Sequence, residues 1–135
     1  MTNIHQISPE QLKQQIDADQ IILIDVRETF EHKKKNIHQA QNIPLSQLTI
    51  DNIPLKELKT KKLVLHCQIG RRSMIACEKL KNEKLPYDIW NLEGGFSAWE
   101  NANLPIFTSL TNKTFQKAFG ALTLCIITLI ILNSI

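Results

Sequence analysis

Three apolar runs organise the first hundred residues: Ile21-Ile22-Leu23-Ile24-Asp25-Val26, Leu63-Val64-Leu65-His66, and a stretch at residues 87–92. The first two are continuous rather than alternating, which marks strands covered on both faces in a parallel sheet. A shorter run at residues 4–7 reads as an edge strand. Immediately after it, Ser8-Pro9-Glu10-Gln11 supplies an N-cap, a proline at the first helical position and a Gln three residues beyond the cap. With Ile7 and Leu12 spaced as a hydrophobic staple and Ile16 extending the apolar stripe, this predicts a helix over residues 9–18. Further helical patterns fall at residues 28–34, 51–58, 73–84 and 95–100, with a separate segment at 40–44. Strands that alternate with helices predict an α/β domain, a mostly parallel sheet flanked by helices, with functional loops at the carboxyl ends of strands.

The pattern changes at the C-terminus. Residues 118–135 carry no charge and consist mostly of Leu, Ile, Ala and Phe. As a helix they extend about 27 Å, slightly short of a hydrocarbon core of roughly 30 Å but within the range a span tolerates. The expected organisation is a domain over residues 1–107, a polar aperiodic linker over 108–117 and a transmembrane helix over 118–135. Thr123, Cys125 and Thr128 fit such a span, because their hydroxyl and thiol groups can bond back to helix carbonyls or simply pack. Lys113 and Lys117 stand just before the segment, which by the positive-inside bias places the N-terminal domain in the cytoplasm, anchored to the membrane.

Composition narrows the function. The chain has 135 residues, enough for one domain with a real core, and a net charge of +3 spread through interspersed Lys and Glu. Lys33-Lys34-Lys35 and Lys59-Thr60-Lys61-Lys62 read as solvated turns, so no nucleic-acid partner is expected. The first residues lack the charged-then-apolar pattern of a secretory signal. Three cysteines without metal-ligand spacing predict neither a metal nor a cofactor, and suit a reducing compartment.

The chemistry gathers where the second long strand runs into Cys67-Gln68-Ile69-Gly70-Arg71-Arg72-Ser73. A thiol at a strand end, N–H groups of a tight loop and a helix N-terminus together favour a thiolate and any bound anion. Arg71 and Arg72 add fixed charge, and either can draw in an anionic donor or tie the loop to an acidic neighbour. Gly70 permits the backbone conformations that turn successive N–H groups inward. The loop therefore suits a thiolate, a persulfide or an oxyanion such as thiosulfate. Asp25 and Arg27 read as a brace for the strand end. Cys77, Phe96 and Trp99 read as packing residues. Alternation turns the His66 side chain away from that of Cys67.

The cysteine loop resembles the active-site loop of the rhodanese family, whose pattern is Cys-x-x-Gly-x-Arg followed by Ser or Thr. Asp25-Val26-Arg27-Glu28 resembles the family's Asp-Val-Arg strand end. Ala40-Gln41-Asn42-Ile43-Pro44 is similar to its Ala-x-Asn-Ile-Pro segment, and Leu92-Glu93-Gly94-Gly95-Phe96-Ser97-Ala98-Trp99 to its Leu-x-Gly-Gly-x-x-Ala-Trp ending. The resemblance covers roughly residues 4–106, and the apolar tail is similar to that of membrane-associated rhodaneses. Lys35-Asn36-Ile37-His38-Gln39-Ala40 departs from the family's Gly-His-Ile-x-Gly-Ala, losing both glycines and the usual histidine position. What the resemblance implies is a rhodanese-like fold and a ping-pong sulfur transfer. Cys67 would take a sulfane sulfur from thiosulfate or a persulfide and pass it to cyanide, a small thiol or a protein thiol. Gln68, Ile69, Gly70, Arg71, Arg72 and Ser73 would bind the substrate. Two alternatives remain open: a Cdc25-type phosphatase or arsenate reductase, and a membrane-tethered persulfide carrier or sensor without turnover of its own. The phosphatase loops resemble Cys-x5-Arg, whereas Arg72 here closes a Cys-x4-Arg loop suited to the smaller sulfur atom.

Overall fold

A computed structural model describes residues 1–109. The chain forms β1 (Ile4–Ile7), α1 (Pro9–Asp17), β2 (Ile21–Asp25), α2 (Thr29–Lys34), β3 (Lys35–Asn36), β4 (Gln41–Asn42), β5 (Lys62–His66), α3 (Arg71–Asn82), β6 (Ile89–Leu92), α4 (Gly95–Asn101) and β7 (Phe107–Thr108). Five strands form one parallel sheet in the order β1-β6-β5-β2-β4. The capping box ahead of α1 is present, with the Gln11 N–H donating to the Ser8 hydroxyl at 3.2 Å and the Ser8 N–H to the Gln11 side-chain oxygen at 3.2 Å.

Alternation along the central strands divides the core in two. Leu63 and Leu65 of β5, with Ile24 and Ile89, pack against Ala76, Cys77 and Leu80 of α3. Val64, Leu23 and Leu92 face the opposite way, against Leu12 of α1 and Phe96 and Trp99 of α4. Strands apolar on both sides are what this two-sided cover demands. The arrangement leaves the carboxyl end of β5, in the middle of the sheet, between the starts of α3 and α4.

Local differences from the sequence expectation have identifiable causes. The helix expected over residues 51–58 is replaced by two short 3-10 turns, Ile50–Asn52 and Glu57–Lys59. Pro54 stands between them, where it lacks an N–H and disfavours helical backbone in the residue before it. Helix α3 begins at Arg71, two residues before the expected start, because Gly70 adopts left-handed backbone (φ +99°) and caps it. The last long strand begins at Ile89 rather than residue 87. A small antiparallel ribbon joins β3 to β7, Lys35 opposite Thr108 and Asn36 opposite Phe107. The C-terminal end of the domain is thereby tied to the segment that follows α2. Among the described residues no helix is long and apolar enough to cross a membrane. The expected span at 118–135, with Cys125, lies outside the described residues, as does all but the first part of the expected linker.

Candidate active site

Cys67 follows the last residue of β5 and is 1% exposed. The Gly70 N–H donates to its sulfur at 3.1 Å, and the Ser73 hydroxyl lies 3.3 Å away. Burial pushes this thiol up. The Ser73 hydroxyl and the backbone N–H groups of Ser73, Gly70 and Ile69 outweigh that effect and hold it below the ordinary cysteine value. A thiolate at this position gains those donors. Cys77 is the contrast: one turn further along α3, its thiol is pushed up to about 12, by burial first and then by the charges of Glu78 and Cys67. It is a packing residue and not a nucleophile at neutral pH.

The back of the loop is held by α4. The Phe96 N–H donates to the Cys67 carbonyl at 2.8 Å, and the Ser97 N–H to the Gln68 carbonyl at 2.9 Å. Such close approach requires Gly95. A Cβ there would lie 2.7 Å from the Cys67 carbonyl oxygen and 2.7 Å from both carbonyl atoms of Gln68, on backbone with φ +62°. Gly95 is thus explained by contact with the loop, whereas a Cβ at Gly94, on backbone with φ +73°, would lie 2.6 Å from the Ala98 Cβ within α4.

A second layer lies beneath. Asp25 is 0% exposed and accepts from the Arg27 backbone N–H (2.9 Å), from Arg27 Nε (3.1 Å) and Nη2 (2.8 Å), and faces His32 Nδ1 at 2.9 Å. Burial pushes the Asp25 carboxyl up, and His66 and Arg27 outweigh burial, so it titrates below the usual carboxylate range. Arg27, 2% exposed, sits over the Phe96 ring at 4.6 Å and reaches Lys35 O (2.7 Å) and the Gln68 side-chain oxygen (3.3 Å). It therefore braces the strand end and the loop together. His66 projects to the opposite side from the Cys67 sulfur, its Nδ1 3.2 Å from the Cys67 carbonyl oxygen. Burial lowers its pKa, so the ring is neutral at pH 7.

The expected substrate-binding residues separate into groups. Gly70 and Ser73 face the sulfur through the contacts above. The Gln68 side chain is committed elsewhere, between Arg27 and the Ser97 hydroxyl (2.9 Å), so its amide braces the loop rather than meeting the sulfur. Ile69 is 58% exposed at the loop tip. Arg72 is engaged by a two-toothed ion pair, Nη1 to Glu31 Oε2 at 2.7 Å and Nη2 to Oε1 at 2.9 Å. The hydrogen bond from Arg72 leads the causes that hold Glu31 below the usual carboxylate range. Arg71 is exposed and makes no ion pair among the described residues. Three residues at the site carry no motif of their own: Glu31, His32 and Asn91. For Asn91 there was a signal, a lone amide inside the apolar strand Ile89–Leu92.

Comparison with known proteins follows the same outline. The profile of the family described as Rhodanese-like domain matches residues 8–102. The uncharacterized protein slr1261 of Synechocystis is 40% identical over 99 residues, which cover 73% of this chain and 54% of that protein. A protein of Allochromatium vinosum named sulfurtransferase is 31% identical over 106 residues, covering 76% of this chain and 94% of its relative. Among solved structures, a rhodanese-related protein from Thermoplasma volcanium superposes with a TM-score of 0.62 at 31% identity, covering 76% of this chain and 97% of that one.

Proposed function

The chain belongs to the rhodanese-like domain family, and from that premise we propose that it moves a sulfane sulfur from thiosulfate or a persulfide donor to a thiophilic acceptor, through a persulfide on Cys67. The observation that carries this is the setting of the sulfur: the Gly70 N–H at 3.1 Å and the Ser73 hydroxyl at 3.3 Å, at the start of α3. In the first step the Cys67 thiolate attacks the outer sulfur of the donor. A sulfur–sulfur bond forms at Cys67, the donor's own bond to that sulfur breaks, and sulfite or a thiolate leaves with the electron pair. In the second step a thiolate or cyanide attacks the outer sulfur, and Cys67 leaves as the thiolate. No external oxidant or reductant enters. The loop N–H groups stabilise the anionic sulfur at each stage, and Arg71 is the guanidinium free to attract an anionic donor.

A phosphatase or arsenate reductase has less support. Such domains resemble Cys-x5-Arg and need an arginine converging on a tetrahedral oxyanion. Here the loop is one residue shorter, and the Arg72 fork is turned onto Glu31. The membrane anchor at residues 118–135, a cytoplasmic domain and a thiol acceptor, small or protein-borne, belong to the same proposal. The anchor and its orientation rest on the uncharged tail and the lysines before it, and the thiol acceptor on the second step at Cys67.

The test is mass spectrometry of the full chain after exposure to thiosulfate or glutathione persulfide. The wild type is expected to gain one sulfur atom, released on adding cyanide or thiol, and Cys67→Ser to gain none. The same gain in Cys67→Ser, or faster hydrolysis of an aryl phosphate than sulfur transfer, overturns the proposal. Removing residues 115–135 is expected to shift the protein from the membrane fraction to an active soluble one.

A further inference from the structure

Ser73 is fully buried and its hydroxyl carries one proton, yet three acceptors surround it: the Cys67 sulfur at 3.3 Å, the Gly70 carbonyl at 3.2 Å and Asn91 Oδ1 at 2.5 Å. One O–H cannot serve all three at once. The shortest contact goes to Asn91, itself 3% exposed on β6. Asn91 Nδ2 donates in turn to Gln6 Oε1 at 2.9 Å. Gln6 and Asn91 stand opposite each other in the parallel register of β1 and β6, which is why their side chains meet. An amide chain thus runs from exposed Gln6 through the sheet to the sulfur.

We propose that Asn91 is a positioning residue that sets the direction of the Ser73 hydroxyl proton, and through it the stability of the anionic sulfur on Cys67. Asn91 presents an acceptor or a donor according to a half-turn of its amide. With Oδ1 toward Ser73, the hydroxyl proton points away from Cys67. The serine oxygen then offers a lone pair to the sulfur, which fits a thiol whose S–H donates. With Nδ2 toward Ser73, the serine oxygen accepts from Asn91 and its proton turns to the sulfur, which fits a thiolate or persulfide anion. Gln6 turns end for end in step, giving up the 3.3 Å hydrogen bond from its Nε2 to the Met74 sulfur, and its exposed position lets water serve the freed donor. No covalent bond changes; the chain of hydrogen bonds reverses direction.

The charged or titratable groups near the sulfur are few. Arg72 on α3 interacts with it electrostatically, the Cys77 thiol is pushed up to about 12 and so carries no charge at neutral pH, and of the Cys67 atoms His66 is hydrogen-bonded to the carbonyl, not the sulfur. From β6 and β1 it is the amides of Asn91 and Gln6 that lead toward it.

This role rests on the sulfur-transfer reading for its purpose, but its test needs only an alkylatable Cys67. The rate of alkylation of the full chain by iodoacetamide is followed against pH, with modification at Cys67 identified by mass. Asn91→Asp offers Ser73 acceptors that hold its proton away from the sulfur. Its alkylation midpoint is expected to rise by about one pH unit, a ~10-fold smaller thiolate fraction at neutral pH. Asn91→Leu removes the competing acceptor, frees the proton for the sulfur, and is expected to lower the midpoint. Both shifts are expected to vanish in a Ser73→Ala background, whereas loop loosening or plain repulsion by a new charge would persist there. Shifts of the same sign, or shifts that survive Ser73→Ala, overturn the proposal. Should Asn91→Asp not fold, exposed Gln6→Glu presents only acceptors to Asn91 and is expected to reproduce the rise; an unchanged midpoint overturns the proposal equally. Failure of wild-type Cys67 to accept sulfur from any donor would instead remove the sulfur-transfer reading and leave the alkylation result standing.

Discussion

Asp25→Asn is the most demanding test of how the site is supported. The substitution keeps the shape of the side chain and removes its charge, leaving the Arg27 guanidinium, 2% exposed, among neutral partners: Lys35 O, the Gln68 amide and the Phe96 ring. Breaking a buried ion pair on one side costs about 3–5 kcal/mol, because the remaining charge stays desolvated. A domain of this size has only about 5–15 kcal/mol of stability in total. At about 4–8 °C per kcal/mol, the melting temperature should fall by at least ~12 °C. Urea unfolding followed by fluorescence of Trp90 and Trp99 measures the loss directly. Asp25→Asn combined with Arg27→Met removes both charges and should recover at least half of it, since a packed apolar pair is often no worse than a buried salt bridge. An Asp25→Asn protein within about 1 kcal/mol of wild type, or a double variant weaker than the single one, would refute the brace.

Three further outcomes follow from the same geometry. Glu31→Gln should release the Arg72 fork and raise kcat/KM for dianionic thiosulfate by about 3- to 10-fold relative to glutathione persulfide at low salt, an advantage that added salt erodes; an unchanged ratio in steady-state assays would show that Arg72 does not meet the donor. Gly95→Ala drives a Cβ into the Cys67 and Gln68 carbonyls and should slow persulfide formation at least ~10-fold, measured by single-turnover mass spectrometry, because the sulfur and its donors move apart; a wild-type rate would mean that α4 does not set the loop. Acid should destabilise the fold in two stages. Burial holds His66 neutral below its ordinary 6.5, and Asp25 stays ionised below its ordinary 3.8. In each window the unfolded chain binds protons that the folded one refuses, so stability is complete above about pH 6.5 and falls as pH drops through each folded-state value. Urea midpoints at pH 7 and 5 that coincide would contradict the burial of a neutral His66.

The amino-acid sequence by itself determined the α/β alternation, the two-sided cover of the central strands, the capped first helix and the cysteine loop. Each of these is local. Periodicity shows which faces are dry, Ser8-Pro9-Glu10-Gln11 starts a helix through contacts three residues apart, and Gly70, in left-handed backbone at the start of α3, donates its N–H to a sulfur only three residues back. Helix termini and the 3-10 turns around Pro54 were less legible, since hydrophobic spacing marks an element without marking its ends.

Only the tertiary structure decided what each side chain at the site does. Arg71 and Arg72 are chemically identical neighbours in sequence, yet one is open to solvent and the other is locked to Glu31, 41 residues earlier in the chain. Gln68 belongs to the brace through Arg27, also 41 residues away. Asn91, 18 residues beyond Ser73, meets its hydroxyl because β6 lies beside β5 in the sheet. Hydrogen bonds and ion pairs act over a few ångströms, and which distant residues come that close is set by strand order and helix packing.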